Sequence, residues 1–446
     1  MNRNQQIELT KSVEDIIKIL NSSGFKAYIV GGCVRDGILG LKPHDWDIAT
    51  DAYPSDIKAL FKKTVDTGIR HGTITIIENS DSFEVTTFRI DGEYSDNRRP
   101  DKVEFTDLIE NDLARRDFTI NAIAYHSEIG FIDPFGGIKD IEKRMINSVG
   151  NPDERFSEDA LRMLRAIRFS AQLDFSISDN ILKSITKNSS LIKNVSNERI
   201  LEELTKILIS PTPLKFKLLY ETILLSNIMP EMSLCFETEQ NHPSHVYNVG
   251  DHSLYSVANI DAIPLLRWAA LFHDIGKPLV RTTDDKGVDH FHGHSEKSTT
   301  LALEIMKRLR FDNETAEIVA RLVKNHDREI IADYTPVRRA VNRVGDDIFP
   351  YLLQIKRADS LAQSPQSLNE KLEHLDRISF IYNEIKESNQ CISLKNLAVT
   401  GGDLLNEGFT EGKMIGETLD LLLNMVLENP ELNDKESLLK YIKKND

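Results

Sequence analysis

The chain has 446 residues, of which 40% are hydrophobic and 28% are charged, and its net charge is −15 at pH 7. This length exceeds what one hydrophobic core supports, so we expect roughly two to four globular domains, and the composition excludes a disordered chain. The acidic balance argues against a nonspecific polyanion binder, although basic clusters occur locally in the first part of the chain. The three cysteines are scattered, and there is no leader or bilayer-length apolar run. The sequence therefore predicts a cytoplasmic protein with no membrane partner.

A glycine pair between a predicted strand and a predicted helix is the first motif along the chain. The strand covers residues 28–30, and Gly31 and Gly32 let the backbone turn towards a ligand, so that the N–H groups of the helix point at phosphate. Asp45 and Asp47 follow in a predicted second strand, where the side-chain period of two places both carboxylates on one face. Such hard oxygen ligands suit Mg²⁺ shared with substrate phosphates. The alternative is a simple turn followed by a solvated acidic loop.

The character of the sequence changes near residue 150. Before it, β-branched strands alternate with short helices, which predicts a small α/β head. After it, apolar residues recur at helical spacing, with further boundaries at residues 211–213 and 237–243. Eight of the twelve histidines lie between His242 and His326. We therefore predict an α+β protein in which the head is followed by mostly helical domains.

Basic residues of the head and of the first helical segment are candidate nucleotide ligands. Arg115 and Arg116 could hold triphosphate oxygens in bidentate fashion, and the alternative is ordinary surface charge. Asp159 and Arg162 are three residues apart, which predicts that they lie side by side on one helical face. The simplest explanation of this pair is a surface salt bridge. The alternative is base recognition, because a carboxylate acceptor beside a guanidinium donor complements the pairing edges of cytosine and adenine, and repels those of uracil and guanine.

Four motifs in order resemble those of the bacterial class II tRNA nucleotidyltransferases, or CCA-adding enzymes, of the DNA polymerase β-like superfamily. They are GGCVRD from residue 31, DWDIAT from residue 45, RDFTINA from residue 116 and EDALRMLR from residue 158. The resemblance implies that Asp45 and Asp47 hold magnesium. The residues that it implies to contact the incoming nucleotide are Gly32, Arg35, Arg116, Asp159, Arg162, Arg165 and Arg168.

The same resemblance implies a division of the chain. The expected parts are a nucleotidyltransferase head at residues 1–148, a helical neck that binds RNA at 149–240, a body at 241–362 and a helical tail at 363–446. The polar loop of residues 91–100 is similar to the flexible loop of enzymes that add the final adenosine. Glu84, on a neighbouring strand, is a candidate third carboxylate, and the alternative is a solvated strand residue.

The histidine-rich segment resembles the HD metal-dependent phosphohydrolase domain. The candidate metal ligands are His252, His273, Asp274 and Asp359, with His294 and His326 as additional candidates. The adjacent pair of His273 and Asp274 lies in an apolar helical run, where buried polar groups need partners. Imidazole and carboxylate ligands suit a divalent transition metal that activates water for phosphoester hydrolysis. The alternative is an inactive helical body that retains a vestigial site.

Together, the motifs and the family that they resemble imply an enzyme that adds or repairs the 3′-terminal CCA of tRNA without a nucleic acid template. Its expected substrates are CTP, ATP and the tRNA 3′ end, its expected cofactor is Mg²⁺, and pyrophosphate is the leaving group. One rival within the superfamily is an A-adding enzyme or a poly(A) polymerase, which would share every motif. A rival of a different class is an HD phosphohydrolase whose head binds RNA.

Overall fold

The structure is a computed structural model that describes residues 6–43, 45–79, 81–92, 102–241, 246–410 and 412–445. The chain forms two compact units, Met1–Pro230 and Glu231–Asp446. The main β-sheet belongs to the first unit, and the second unit is almost wholly helical. The predicted α+β class, with an α/β head followed by helices, is confirmed.

A mixed sheet forms the centre of the first unit. The strands of this sheet and of two separate two-stranded pairs, β6 with β7 and β10 with β11, are β1 (Ala27–Val30), β2 (Asp47–Thr50), β3 (Thr64–Gly68), β4 (Thr73–Glu78), β5 (Asp81–Thr87), β6 (Arg89–Asp91), β7 (Val103–Phe105), β8 (Ala124–His126), β9 (Gly130–Ile132), β10 (Met145–Ile146) and β11 (Ser176–Ile177). Seven of them are hydrogen-bonded in the order β3-β4-β5-β2-β1-β8-β9. All four residues of the central strand β1 are buried, as expected of a strand covered on both faces.

Strand β2 sets the position of one predicted carboxylate. It pairs antiparallel with β1 and parallel with β5, and Asp47 lies opposite Glu84. Asp47 is exposed at the start of the strand, whereas the three following residues are buried. A slip of one residue would bury this carboxylate and expose apolar side chains, so burial fixes the register.

Asp45 does not lie in the strand, and the prediction that both aspartates share it is wrong in this respect. Asp45 occupies a bend that precedes β2. The ladder with β5 begins only at Asp47, so no strand pairing holds the backbone at Asp45. Trp46, between the two aspartates, is buried as predicted.

Helices surround the sheet and continue the first unit. They are α1 (Lys11–Ser22), α2 (Gly32–Ile38), α3 (Pro54–Leu60), α4 (Ile109–Ala114), α5 (Gly137–Glu142), α6 (Pro152–Glu158), α7 (Leu161–Leu173), α8 (Asp179–Asn188), α9 (Asn197–Leu208), α10 (Lys217–Glu221) and α11 (Leu224–Ile228), with 3₁₀ helices at Ile69–His71, Thr119–Asn121, Ser189–Asn194 and Pro213–Phe216. Helix α7 has a buried apolar face and packs against α9.

The prediction that Asp159 and Arg162 lie on one face of a continuous helix is wrong. Helix α6 ends at Glu158, Asp159 has an extended backbone with φ −144° and ψ 105°, and α7 begins at Leu161. The Asp159 carboxylate accepts a hydrogen bond from the backbone N–H of Leu161 at 3.0 Å. This local bond satisfies a free donor at the start of α7, and aspartate therefore favours a helix boundary here over a helix interior.

The second unit consists of helices with one short hairpin. The helices are α12 (Pro230–Phe236), α13 (Val249–Ala258), α14 (Pro264–Phe272), α15 (Lys277–Val280), α16 (His294–Leu309), α17 (Asn313–Asn325), α18 (Tyr334–Val344), α19 (Phe349–Leu361), α20 (Leu368–Glu387), α21 (Gly401–Asn406), α22 (Lys413–Glu428) and α23 (Lys435–Asn445), with 3₁₀ helices at Leu394–Asn396 and Pro430–Leu432 and strands β12 (Thr282–Thr283) and β13 (Asp289–His290). Helices α13, α14, α17 and α19 pack on one another, and α14 contributes the buried side chains of Trp268 and Phe272. A smaller core around Leu404 and Leu422 holds the last helices together.

Within the described part of the chain, every helix is too short or too polar to span a bilayer. Cys33, Cys235 and Cys391 are free and buried.

Candidate functional sites

A cavity of about 650 Å³ in the first unit, which we call the head cavity, is lined by all seven predicted nucleotide ligands. Its lining residues are Gly31, Gly32, Arg35, Asp45, Asp47, Arg115, Arg116, Asp117, Asn121, Asp159, Leu161, Arg162, Arg165, Arg168, Phe169 and Arg199. Seven of these residues are arginines and four are aspartates. The excess of positive charge around a space of this size suits a polyanionic ligand that carries several phosphate oxygens.

Gly31 allows the backbone to pass close to the charged side chains of this cavity. Its φ is +79°, and a Cβ atom at this position would lie 2.7 Å from Nη1 of Arg116 and 3.6 Å from Oδ2 of Asp47. A side chain would therefore be strained and would displace the guanidinium. The absence of a side chain at Gly31 therefore allows Arg116 and Asp47 to lie beside the start of α2.

The carboxylates at one side of the cavity repel one another. Although Asp47 is exposed to the cavity, the surrounding protein atoms displace water from its carboxylate and so raise its pKa; the charge of Arg116 opposes this, and the charge of Asp45 adds to it. Burial, together with the charges of Asp47 and Asp45, also raises the pKa of Glu84. A divalent cation held by Asp45 and Asp47 would relieve this repulsion, and the donor set therefore fits the predicted magnesium. Glu84 lies close enough to sense both charges, which supports its candidacy.

A hydrogen-bonded network positions the arginines that face these carboxylates. Nη1 of Arg35 donates to Oδ1 of Asn121 at 2.7 Å, and the amide of Asn121 donates to Asp117 at 3.2 Å. Nε of Arg165 donates to the other oxygen of Asp117 at 2.7 Å. Burial alone would raise the pKa of Asp117, but Arg165 and Arg162 lower it to about 2, so this carboxylate is ionised and holds the guanidinium in place.

The ring of Phe169 carries three of the predicted ligands. The guanidinium carbons of Arg168, Arg35 and Arg165 lie 4.0, 5.1 and 5.3 Å from the ring centroid. Cation–π attraction offsets part of the repulsion between like charges. Arg168 also donates to Glu203 at 2.6 Å, which ties it to α9.

Arg116 has hydrogen-bonding capacity that the described residues do not use. Its Nη1 and Nη2 lie 3.4 Å from the carbonyl oxygen of Asn121 and from Oδ2 of Asp112, and both bonds are long. Its buried Nε has no hydrogen-bond partner among the described residues. Because a buried donor without a partner costs about 1–3 kcal/mol, an anionic ligand in the cavity would be favoured by this guanidinium.

Asp159 and Arg162 both line the cavity, but each has a different partner from the one expected. Oδ2 of Asp159 accepts from Nη2 of Arg199 at 2.7 Å. Arg162 pairs with Glu158 at 2.5 Å and donates to the carbonyl oxygen of Arg115 at 3.2 Å. The simple salt bridge between Asp159 and Arg162 is therefore not the arrangement in the structure. Both side chains reach the cavity from the start of α7, where a base could meet them.

A second candidate site lies in the second unit, where four histidines point their Nε2 atoms towards one aspartate. In each of them Nδ1 lies near a backbone carbonyl oxygen: His252 near Ala362 at 3.3 Å, His273 near Ala270 at 2.7 Å, His294 near Phe291 at 2.8 Å and His326 near Val323 at 2.7 Å. A proton on Nδ1 that binds the carbonyl leaves the lone pair of Nε2 free, which is how protein histidines are prepared for a metal.

Asp274 lies at the centre of this cluster. Its Oδ2 is 3.4 Å from Nε2 of His252 and 3.2 Å from Nε2 of His273. Its Oδ1 is 3.3 Å from Nε2 of His294 and 3.5 Å from Nε2 of His326. The two carboxylate oxygens therefore face two separate pairs of histidines.

Asp359 completes the first half of the cluster, since its Oδ1 lies 2.9 Å from Nε2 of His252. Two groups of potential ligands result, His252 with His273 and Asp274, and Asp274 with His294 and His326. All of these side chains are buried except that of Asp359, which is 23% exposed. The four predicted ligands and the two additional candidates thus converge. The two groups share Asp274, and the chemistry of the donors in each would suit a divalent metal ion.

Charged groups around the cluster keep its acids ionised. Burial would raise the pKa of Asp274, but His273, in its protonated form when no metal is bound, and the ammonium group of Lys277, 2.7 Å away, lower it well below its usual range. Nε2 of Gln363 donates to Asp359 at 2.9 Å and its Oε1 accepts from Lys371. Asp359 and His326 also line a cavity of about 570 Å³ between α19 and α20, which gives the cluster access to a ligand.

Sequence families match three successive segments of the chain. The family described as "Poly A polymerase head domain" matches residues 27–147, "Probable RNA and SrmB- binding site of polymerase A" matches residues 174–235, and "HD domain" matches residues 244–364. Among curated relatives, the CCA-adding enzyme of Lactobacillus johnsonii is 32% identical over 448 residues, which cover 100% of both chains. The chain belongs to the family of CCA-adding enzymes. The family resemblance that the sequence motifs indicated is thereby confirmed.

Other CCA-adding enzymes match over part or all of the chain. The enzyme of Limosilactobacillus reuteri is 52% identical over 198 residues, so the match spans about half of its length, 49%, and 44% of this chain. The crystal structure of the Bacillus stearothermophilus CCA-adding enzyme in complex with CTP is 27% identical, with a TM-score of 0.72 over 98% of this chain and 99% of that one. The Thermotoga maritima CCA-adding enzyme complexed with tRNA_CCA is 20% identical, with a TM-score of 0.58 over 98% and 97% of the two chains, and shares the fold. Membership of this family implies a divalent metal ion.

The sequence motifs did not identify several residues that line or support the cavity of the first unit. Asn121 lies within the quoted RDFTINA motif, but only the fold reveals that it joins Arg35 to Asp117. Phe169 and Arg199 carried no local signal, because their partners are brought to them by packing of α7 and α9. The loop of residues 91–100 lies largely outside the described residues.

Proposed function

We propose that this CCA-adding family member transfers CMP and AMP from CTP and ATP to the 3′ end of tRNA, building or repairing the terminal CCA and releasing pyrophosphate. The observation that carries the proposal is the head cavity, where arginines face a pair of carboxylates and Arg116 has an unsatisfied buried donor. That combination suits a nucleoside triphosphate with a divalent cation, and CTP is bound in the Bacillus stearothermophilus relative.

In this proposal, different residues of the cavity bind the metal ion and the triphosphate. Asp45 and Asp47 hold Mg²⁺, which when bound polarises the primer hydroxyl and offsets charge on the departing pyrophosphate. Arg35, Arg116 and Arg165 hold the triphosphate, with Gly32 at the start of α2 and Arg168 behind them. No covalent intermediate with the protein is needed, because both reactants can be held in line.

Base selection in this proposal comes from the side chains at the start of α7. Asp159 accepts a hydrogen bond from the exocyclic amine of cytosine or adenine, and Arg162 donates to the neighbouring ring nitrogen. Uracil and guanine present a carbonyl oxygen and an N–H group at these positions. The carbonyl oxygen would face the Asp159 carboxylate, acceptor against acceptor, and the N–H group would face Arg162, donor against donor.

Incorporation assays with the full chain test the proposal. We expect addition of two cytidines to tRNA that lacks CCA, and of one adenosine to tRNA that ends in CC. Addition of adenosine alone would identify an A-adding enzyme, long runs of adenosine would identify a poly(A) polymerase, and no incorporation with any nucleotide would contradict nucleotide transfer.

A second candidate function is hydrolysis of a phosphoester at the histidine cluster. The specific observation in its favour is the convergence of four histidines and Asp359 on Asp274, with each histidine Nδ1 near a backbone carbonyl oxygen. A vestigial site would not need to retain six oriented donors. We infer that the two ligand groups, His252 with His273 and Asp274, and Asp274 with His294 and His326, would each hold a divalent transition metal ion, which would lower the pKa of a water molecule for attack on phosphorus.

Hydrolysis should depend on added metal. The full chain is to be incubated with p-nitrophenyl phosphate and with a 2′,3′-cyclic nucleotide in the presence of Mg²⁺, Mn²⁺, Ni²⁺ or Co²⁺. Metal-stimulated release of phosphate or ring opening supports the second function. Absence of hydrolysis with all four metals would favour a purely structural cluster.

A further inference from the structure

Among the arginines of the head cavity, Arg199 is the one that the described part of the structure shows donating a hydrogen bond to Asp159, the proposed base-selecting carboxylate. It lies in the first turn of α9, and its Nη2 donates to Oδ2 of Asp159 at 2.7 Å. The side chains of Arg199 and Asp159 are 23% and 15% exposed, and both line the cavity.

Asp159 needs such a partner because its backbone does not position it. The residue falls in the break between α6 and α7, with an extended backbone, so the helical hydrogen-bond ladder does not fix its side chain. Two bonds set the direction of its carboxylate, one from the backbone N–H of Leu161 to Oδ1 and one from Arg199 to Oδ2. Without the second bond, the carboxylate could rotate about the Leu161 contact.

Both bonds leave the carboxylate able to accept from a nucleotide. An ionised carboxylate has about four acceptor positions on its two oxygens, and these two contacts use two of them. Helix α9 packs against α7, which carries Arg162, so the packing of these two helices aligns both parts of the base-selecting pair. Arg162 is held separately, through Glu158 and the carbonyl oxygen of Arg115.

We propose that Arg199 is a positioning residue for base selection, which holds the Asp159 carboxylate as a fixed acceptor for the exocyclic amine of the incoming nucleotide. The inference rests on the proposed nucleotide transfer and assigns a role to a residue outside the recognised motifs. Loss of Arg199 should lower the discrimination of cytosine from uracil while the triphosphate and the cation are still held by other residues.

The test compares Arg199→Met and Arg199→Lys with Lys206→Met as the matched control. Lys206 lies on the same helix and makes an exposed pair with Glu202, so its removal also deletes a cation and an ion pair from α9. Single-nucleotide extension with CTP and UTP gives kcat and KM for each variant, and equilibrium binding of CTP and UTP to the full chain gives affinities that do not depend on turnover.

We expect Arg199→Met to lower the ratio of CTP to UTP, in kcat/KM and in affinity, by about tenfold, as the loss of one ordered base contact predicts. Arg199→Lys should recover part of the ratio, because an ammonium group can still donate to Asp159, and Lys206→Met should leave it unchanged. Equal losses for CTP and UTP in Arg199→Met would overturn the inference, since a phosphate contact or a structural role acts on both nucleotides. If the unmodified chain prefers to bind CTP but transfers no nucleotide, the proposed transfer fails while the positioning role is still decided by the affinities.

Discussion

The head cavity and the histidine cluster both gather charged side chains, but they balance charge in different ways. In the head, seven arginines outnumber four aspartates, and one buried guanidinium nitrogen has no described partner. In the second unit, four imidazoles and two carboxylates are oriented by hydrogen bonds within the protein, and most of them are buried. An anionic ligand would satisfy the excess positive charge of the head cavity, whereas the histidine cluster already contains the donors that a pair of metal ions would need.

This difference has a consequence for metal binding. The head offers carboxylates that share the ion with substrate phosphates, so the cation and the nucleotide should bind together. The cluster offers three or more protein ligands to each ion, so metal should be held there without substrate. The predictions that follow test this contrast, beginning with the largest expected effect.

Replacement of Asp47 by alanine should remove nucleotide transfer in the head and leave the cluster intact. Loss of the cation forfeits several kcal/mol of charge stabilisation, so incorporation of CMP and AMP should both fall by about a thousandfold or more, while tRNA binding is retained. Asp45→Ala should act in the same way. Asp66→Ala, at an exposed acid paired with Lys58, is the matched control. Near-normal turnover of CTP in Asp45→Ala would contradict the assigned role of the aspartate pair.

Replacement of Asp274 by alanine should remove metal binding at the histidine cluster and leave nucleotide transfer in the head intact. Because its two oxygens face both pairs of histidines, we expect the full chain to retain up to two metal ions after desalting and the variant to lose both. Any metal-stimulated phosphoester hydrolysis should disappear, and nucleotide addition should not change. Elemental analysis measures the metal content directly.

His294→Ala separates the two halves of this cluster and should remove one ion only. Asp284→Ala, at an exposed acid of the same unit, serves as a control for both variants. If Asp274→Ala kept the metal content of the unmodified chain, the bridging role of Asp274 would be wrong.

Replacement of Asp159 by alanine should change which base is added more than how fast nucleotides are added. A bidentate base contact provides about 1–3 kcal/mol of discrimination, so the preference for CTP over UTP should fall by roughly one to two orders of magnitude. Single-nucleotide extension gives this ratio, with Glu202→Ala as the control on α9. A folded Asp159→Ala variant with an unchanged ratio would remove the base-selection hypothesis.

Replacement of Phe169 by leucine should have the smallest effect. The ring lies against the guanidinium groups of Arg35, Arg165 and Arg168. A cation–π contribution of about 0.5–2 kcal/mol predicts that KM for CTP and ATP rises by roughly 3- to 30-fold, with little change in base preference. Phe380→Leu, at a side chain that is 63% exposed, is the control. An altered CTP to UTP ratio in Phe169→Leu would mean that the ring also positions the base.

Local sequence patterns were sufficient for the fold class, the order of the motifs and the chemical type of each site. A glycine pair after a buried strand, acids spaced by two residues and a histidine-aspartate pair beside an apolar helix all reflect constraints between close neighbours. Such local constraints determine the spacing of residue types along the chain, so they can be recognised in the sequence. The helical run predicted around His273 and Asp274 ends earlier than expected, at Phe272, so that both residues lie in the turn after α14. Predictions from local spacing were wrong for the backbone at Asp45, which lies in a bend before β2. They were also wrong at Asp159, which lies between two helices and accepts a local hydrogen bond from Leu161.

The tertiary structure alone decided which residues become partners. Asp159 and Arg199 are 40 residues apart. Asp274, in the turn that follows α14, and Asp359, on α19, both approach His252. The close approach of Gly31 to Arg116 likewise joins distant segments. These pairings depend on the packing of whole helices and strands, which is a cooperative property of many buried side chains and leaves no fixed spacing in the sequence.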